Sequence, residues 1–359
     1  MNKPGVSLKI ESQLPLLTEY LFNLVNDNYS QETVSNYRRD LLIFDSFLSN
    51  QSINFKDLNK LDVAKYKEFL RNGTYLKVFN KATDIDQNEP QEAQNKKSSP
   101  KGSRRASMYS GRLGSRSVNR MLSALRSYLR FLNDSDYKNI PLGPDSVKLV
   151  RTERKESQVA ELDELIKLIE SPDIYEDKLM VKYRNRAILE LLFATGMRIS
   201  ELINLDRENL KLSTNNAIEE SKIYITGKGK KQRFVYFTDR CTYYLERYLN
   251  ARQDDYPALF IPYRGLRIGT KDPYVVRLSV NYIQAKIKQY RKLCGIIVPT
   301  SAHSLRHGFA TYLAGNGANP AAIQRLLGHE SLQTTSKYVH TSDKIAEEAH
   351  RKFHPLQKG

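Results

Sequence analysis

Apolar residues recur at helical spacing from Leu14 to Val25. A second such stretch runs from Gln31 to Leu48, with Ser30 placed to cap it and Thr33 just inside. A third spans about 60 to 71, with Asn59 or Asp57 as its cap. Residues 73–112 then change character. They are rich in Asn, Gln, Ser, Lys and Gly and carry almost no apolar periodicity. Their early part is acidic (Asp84, Asp86, Glu89, Glu92), their later part basic (Lys96, Lys97, Lys101, Arg104, Arg105, Arg112). Such a composition buries too little apolar surface to offset the entropy of ordering. It is expected to form a long, mostly disordered insertion, either a solvated loop or a phosphate contact through its basic half.

Periodicity returns at 115–133. At about 100° per residue, Val118, Met121, Leu122, Leu125, Leu129 and Leu132 share one helix face. Arg112, Arg116, Arg120, Arg126 and Arg130 gather on the other, with no acidic residue between 112 and 133. A solvated face normally mixes signs. A stripe of one sign suits a row of phosphates. Residues 134–157 follow, with Pro141 and Pro144 as breakers and Arg151, Arg154 and Lys155 as a basic linker. The chain is therefore expected to divide near 155, into a small helical domain (1–155) and a larger one (156–359).

The second part is mostly helical by pattern. Helices are expected at 161–170, 178–194, 198–205, 239–252, 279–294, 304–315, 319–327 and 342–350. Lys222–Thr226 and Gln232–Phe237 are short β-type runs around G-K-G-K-K, which reads as a hairpin. No internal repeat is visible.

Charge narrows the partner. The chain of 359 residues carries 57 Lys and Arg against 40 Asp and Glu, a net charge of +17, which favours a polyanion. No run of about 18 apolar residues suggests a membrane span, and the first residues lack the apolar core of a signal peptide. The apolar face of the basic helix fits a protein core better than a bilayer surface. Cys241 and Cys294 form no C-x-x-C pair and are expected to be reduced structural thiols of a cytoplasmic protein. Nucleic acid is the favoured polyanion.

All six histidines lie in the last 57 residues. H-S-L-R-H stands at 303–307, L-G-H at 327–329 and K-Y-V-H at 337–340, after T-G-M-R-I-S-E at 195–201 and G-K-G-K-K at 227–231. Together they offer two arginines, a lysine, two histidines and a tyrosine. Cleaving a phosphodiester without metal requires neutralising the non-bridging oxygens, an in-line nucleophile, and a proton for the leaving alkoxide. Arg198 and Arg306 suit the first need, because a guanidinium is always charged and binds two oxygens at once. His303 and His329 can donate a hydrogen bond or move a proton near neutral pH. Lys228, between two glycines at a hairpin tip, can reach a groove and protonate a leaving oxygen. A tyrosine can store the bond energy as a phosphotyrosyl ester. His303 and His307 have the spacing of two metal ligands. But Ser304 stands where the H-E-x-x-H pattern needs glutamate, so no metal site is expected.

These motifs, A-T-G-M-R-I-S-E-L, G-K-G-K-K-Q-R, H-S-L-R-H-G-F-A-T and L-G-H-E-S-L-Q-T-T-S-K-Y, resemble those of the tyrosine recombinases, the integrase family. The arginine after T-G and the G-K-G turn are weak signals alone, H-x-L-R-H-x-F-A-T followed about 20 residues later by L-G-H and then Tyr is a strong one, and the ordered combination is the most specific. The likeness is close over about 155–350 and looser before that. It implies a mainly α fold: a helical, SAM-like core-binding domain, then a mostly α catalytic domain with a small β hairpin. It implies the catalytic set Arg198, Lys228, His303, Arg306, His329 and Tyr338, the last being the nucleophile. Glu201 and His307 would support that set, and Lys230 and Lys231 would touch phosphate. No cofactor and no metal are implied.

The resemblance further implies a clamp on double-stranded DNA, a 3′-phosphotyrosyl intermediate and two strand exchanges through a Holliday junction. The active unit would be a homotetramer on two DNA sites, with the segment after Tyr338 docking on a neighbouring subunit. The short two-domain layout favours Xer-type resolution of chromosome dimers over an integrase or excisionase of a phage or mobile element. A type IB topoisomerase would share the chemistry without joining two sites. A non-catalytic DNA-binding protein is expected to have lost one of the six residues, and none is lost. Cell-division DNA translocases activate some members, a dependence no motif here encodes. The insertion at 73–112 departs from the usual compact N-terminal domain.

Overall fold

The computed structural model describes residues 12–73, 75, 113–152, 158–227, 232–264 and 272–328. The insertion beyond Tyr75, the helix expected at 342–350, Arg112, Lys228, Lys230, Lys231, His329 and Tyr338 lie outside them. Tyr75 itself is buried in the core of the first unit, because its ring finds apolar neighbours there, so the expected insertion begins later than residue 73. The chain separates into two compact units, Met1–Lys155 and Glu156–Gly359.

The first unit is helical: α1 (Leu17–Asn26), α2 (Gln31–Asn50), α3 (Lys60–Arg71) and α4 (Ser115–Asp134). Capping sets the starts. Ser30 Oγ accepts the Thr33 N–H, and Asn59 and Asp62 satisfy each other's backbone N–H groups. Helix α1 begins later than its apolar pattern, because Leu16 takes a left-handed conformation at φ 53°. Leu14 is buried all the same. The core gathers Phe44, Phe47 and Tyr66 in close ring contact, with Leu122, Leu125 and Leu129 of α4.

The arginine stripe of α4 divides. Arg116 and Arg130 are exposed. Arg120 pairs with Asp40 of α2, whose side chain is fully buried. Arg126 donates to the Val147 carbonyl at 2.7 Å. Two of the four described arginines therefore bind their own fold, although sequence spacing placed all of them on one outward face. The reason is that α4 has neighbours on both flanks, and each supplies an acceptor that solvent would otherwise supply.

The second unit is built around α6 (Leu179–Thr195), which is buried nearly all round and packs against α5 (Leu162–Tyr175), α8 (Asp239–Ala251) and α10 (Ala302–Gly315). Its buried polar residues are paired: Arg186 with Asp173 and Glu190, Arg184 with the Ile261 carbonyl and Asn185. Helix α5 outruns the sequence expectation by passing through Pro172. The lost N–H would have served the Leu168 carbonyl, and Ser171 Oγ donates to that carbonyl instead at 2.7 Å. A short α7 (Ile199–Ile203) leads to the antiparallel pair β1 (Lys222–Thr226) and β2 (Gln232–Tyr236), in register Lys222↔Tyr236 through Thr226↔Gln232. Helices α9 (Val280–Leu293) and α11 (Pro320–Leu327) complete the unit. Cys241 is buried, Cys294 partly so, and both are thiols. Among the described residues no helix is long and apolar enough to cross a membrane.

Asp40 supplies a stability test. Burial pushes its carboxyl above the usual carboxylate range, and Arg120 opposes that shift. An acid with a raised folded pKa contributes stability when protonated and loses it as pH rises through that pKa. Arg120→Ala should therefore cost about 2 kcal/mol at pH 7, since Arg120 is itself partly exposed. The loss should shrink as pH falls through the raised Asp40 pKa, which lies above the ordinary carboxylate value of about 3.9, because the acid is then neutral and no longer needs its partner. Urea denaturation of the full chain across this pH range checks both points; a pH-independent loss would count against the pairing.

Candidate functional site

The T-G-M-R-I-S-E segment folds as a sharp helix-to-helix turn. Helix α6 ends at Gly196, left-handed at φ 60°. A Cβ there would stand 2.4 Å from Phe309 of α10, so both conformation and space demand glycine. Met197 is buried as a plug, and Arg198 caps α7 with its side chain 35% exposed. Glu201, three residues on, accepts the Arg198 backbone N–H at 2.7 Å and its guanidinium Nη1 at 3.0 Å. The Glu201 side chain is buried.

The H-S-L-R-H segment forms the first turns of α10, capped by Ser301, whose Oγ accepts the Ser304 N–H. His303 and His307 lie one turn apart with their Nε2 atoms at 2.9 Å. In such a bond one ring must present a lone pair, so at least one of the two is neutral. No third metal-ligating side chain joins them, and no group of three such residues exists among the described residues. Arg306, three residues after His303 on the same helix, is buried. It donates to the Gly196 carbonyl and to the Leu327 carbonyl, both at 2.7 Å.

These bonds bring the motifs together at the C-terminal end of α11. A helix end leaves its last carbonyls without intrahelical donors and carries partial negative charge. Here successive carbonyls meet arginines from different elements. Leu326 takes Arg233 Nε of β2 at 2.9 Å, Leu327 takes Arg306 of α10, and Gly328 lies 3.5 Å from Arg198 Nη2. The end of α11 is the point from which the chain leads into His329. Of the residues expected from sequence, Arg198, Glu201 and Arg306 are placed here, and His303 and His307 pair with each other on α10.

Sequence reading missed Arg233. Its signal was an arginine on the same side of β2 as buried Val235, an inward position that requires a buried partner. The aromatic outer residues Phe234 and Tyr236 hid it, since both faces of the strand look apolar.

The electrostatics follow from the crowding of cations. Burial lowers the His303 pKa, and the nearby charges of Arg306 and Arg198 lower it further. Burial alone would raise Glu201. Hydrogen bonds from Arg233 and from the Arg198 N–H, with both guanidinium charges, outweigh burial and hold it below the usual range. The cluster holds three arginines and one carboxylate, which Arg198 and Arg233 bind, so it is net cationic and suited to an anion. A neutral imidazole beside it can accept a proton. In the protein without DNA, His303 should thus titrate below the ordinary histidine value of about 6.5 and be neutral at pH 7. Imidazole NMR shifts across pH 4–8, with His303→Gln for assignment, measure this; titration at or above the ordinary value would contradict the cationic setting.

Residues 158–344 match the model described as phage integrase family, and residues 17–83 match the phage integrase N-terminal SAM-like domain. The chain is 30% identical over 350 residues to the tyrosine recombinase XerD of Staphylococcus epidermidis, covering 95% of this chain and 98% of that one. It is 36% identical over 252 residues to the tyrosine recombinase XerC of Thermodesulfovibrio yellowstonii, covering 67% and 76%. Among solved structures, XerH bound to a palindromic difH substrate shares the fold, with TM-score 0.60 and 19% identity over 96% of this chain and 90% of that one. A lambda integrase tetramer bound to a Holliday junction does so with TM-score 0.58 and 14% identity, covering 93% and 78%.

Proposed function

The chain belongs to the phage integrase family of tyrosine recombinases, enzymes that cleave and rejoin DNA, and on that premise we propose a Xer-type site-specific recombinase with Tyr338 as nucleophile. The observation that carries this reading is the convergence of Arg198 and Arg306 on the end of α11, one residue before His329, with His303 near both charges. Arg198 and Arg306 neutralise the non-bridging oxygens as charge builds on the pentacoordinate phosphorus. The carbonyl bonds of Arg306 fix its guanidinium plane, so little reorganisation is left for the reaction. Neutral His303 takes the Tyr338 proton. The phenolate attacks in line, giving a 3′-phosphotyrosyl bond, and Lys228 protonates the departing 5′-oxygen. His329 donates a hydrogen bond to the phosphate. A partner strand's 5′-hydroxyl then reverses these steps. No metal or ATP enters the scheme, because the ester conserves the bond energy.

Double-stranded DNA is the substrate, and cytoplasm the compartment that holds it. The working unit is a homotetramer on two sites, exchanging strands through a Holliday junction. The lambda integrase tetramer on such a junction supports that assembly by likeness of fold. Chromosome dimer resolution is the favoured role, since XerD aligns over nearly its whole length with this chain. A cell-division DNA translocase is the matching activating partner. Arg116 and Arg130, the two open arginines of α4, contact phosphates, and Lys230 and Lys231 add contacts at the hairpin tip.

Covalent trapping on nicked duplexes in EDTA tests the chemistry. Wild type should leave an adduct, and Tyr338→Phe should bind without one; an adduct in the variant removes Tyr338 as nucleophile. Lys228→Ala should cleave slowly on normal DNA and recover on a 5′-thio leaving group, which needs no proton. Adducts at one site near the replication terminus support dimer resolution, whereas adducts at a mobile-element end would reassign the role to integration. Arg116→Ala and Arg130→Ala should each weaken binding and reduce the slope of log K against log salt by about 0.9. An unchanged slope would show that these arginines do not meet phosphate.

A further inference from the structure

Arg233 is set apart from the catalytic set by its burial and its bonding. Its side chain is 9% exposed and projects from β2 toward the same side as Val235. It binds both oxygens of Glu201, Nη1 to Oε1 at 3.0 Å and Nη2 to Oε2 at 2.8 Å. Its Nε holds the Leu326 carbonyl. Gly328 is shaped around it: φ is 64°, and a Cβ there would approach Arg233 Nη1 to 2.9 Å.

The carboxylate of Glu201 has about four acceptor sites. Arg233 takes one on each oxygen. The Arg198 guanidinium takes one on Oε1, and the Arg198 backbone N–H one on Oε2. The acid is therefore saturated, and Arg198 gives it a single side-chain bond. We propose that Arg233 is a positioning residue for DNA cleavage: by filling half of Glu201 it leaves Arg198 aimed at the scissile phosphate. Without Arg233, two acceptor sites on a nearly buried carboxylate lose their donors, a costly state. The Arg198 guanidinium is the adjacent cation that can turn onto both oxygens and fill them. Doing so withdraws it from the phosphate. Arg233 also fastens the stem of the hairpin bearing Lys228 to the helix end that precedes His329, so one side chain sets the spacing of two elements. This inference rests on the recombinase reading above.

The experiment measures two quantities on a nicked suicide duplex: the first-order rate of adduct formation at saturating protein, and DNA affinity by fluorescence anisotropy. Arg233→Gln should slow cleavage by about tenfold or more, with affinity within about threefold of wild type. Glu201→Gln combined with Arg233→Gln should run several-fold faster than Arg233→Gln alone, because the neutral amide no longer captures Arg198. A role in stability alone would lower the Tm of Arg233→Gln while leaving the cleavage rate of the folded protein at saturating DNA like wild type, so thermal denaturation is measured beside the rate. Arg233→Lys keeps a cation against Glu201, and with it the fold, but cannot serve both oxygens and Leu326 at once. Its rate should fall between. Arg233→Gln and Arg233→Lys cleaving like wild type, or a double variant no faster than the single, would overturn the inference while leaving the recombinase reading intact. A wild type without adducts would overturn that reading and this inference together.

Discussion

Among the described residues, Glu201 is the buried anion against which the cationic cluster is assembled. It fixes Arg198 through backbone and side chain, and it holds Arg233 in β2. Through Arg233 it reaches the end of α11 and so the approach to His329. A cluster of three arginines repels itself, and one carboxylate only partly offsets that. The remaining positive charge is tolerable because each guanidinium also binds a carbonyl at a helix end, where the dipole is negative. What stays unbalanced is positive charge, which a phosphodiester would neutralise on the proposed reading. The site is organised before its substrate arrives, which is where electrostatic catalysis gains most.

The same economy of glycine recurs at both helix ends of the site. Gly196 closes α6 and gives its carbonyl to Arg306. Gly328 closes α11 and admits Arg233. Each is left-handed, and each would collide with a neighbour if it carried a side chain. The T-G and L-G of the motifs are therefore backbone requirements of an arginine-lined site. They bring no chemistry of their own.

The N-terminal unit treats charge differently. Its buried Asp40 draws Arg120 inward, and the Val147 carbonyl draws Arg126. Arg116 and Arg130 are exposed, whereas Arg120, though partly exposed, commits its guanidinium to Asp40. A basic stripe counted on a helical wheel thus overstates the charge available to a partner, because neighbouring helices compete for the same guanidinium groups.

The sequence by itself determined most helices, the hairpin and the ordered motifs. Apolar spacing reports burial, and caps such as Ser30, Asn59 and Ser301 act within three residues of themselves. It also singled out Arg198, His303 and Arg306 through residue types that few chemistries combine. Only the tertiary structure decided the rest. It carried α5 through Pro172, because Ser171 stood ready to serve the stranded carbonyl. It turned Arg120 inward and made Arg233 part of the site. These outcomes depend on partners that are distant along the chain, 80 residues for Arg120 with Asp40 and 93 for Arg233 with Leu326. Local pattern carries no information about which donor a buried acceptor will meet across such a separation; folding brings them together, and the cost of leaving a buried charge or carbonyl unpaired selects the pairing.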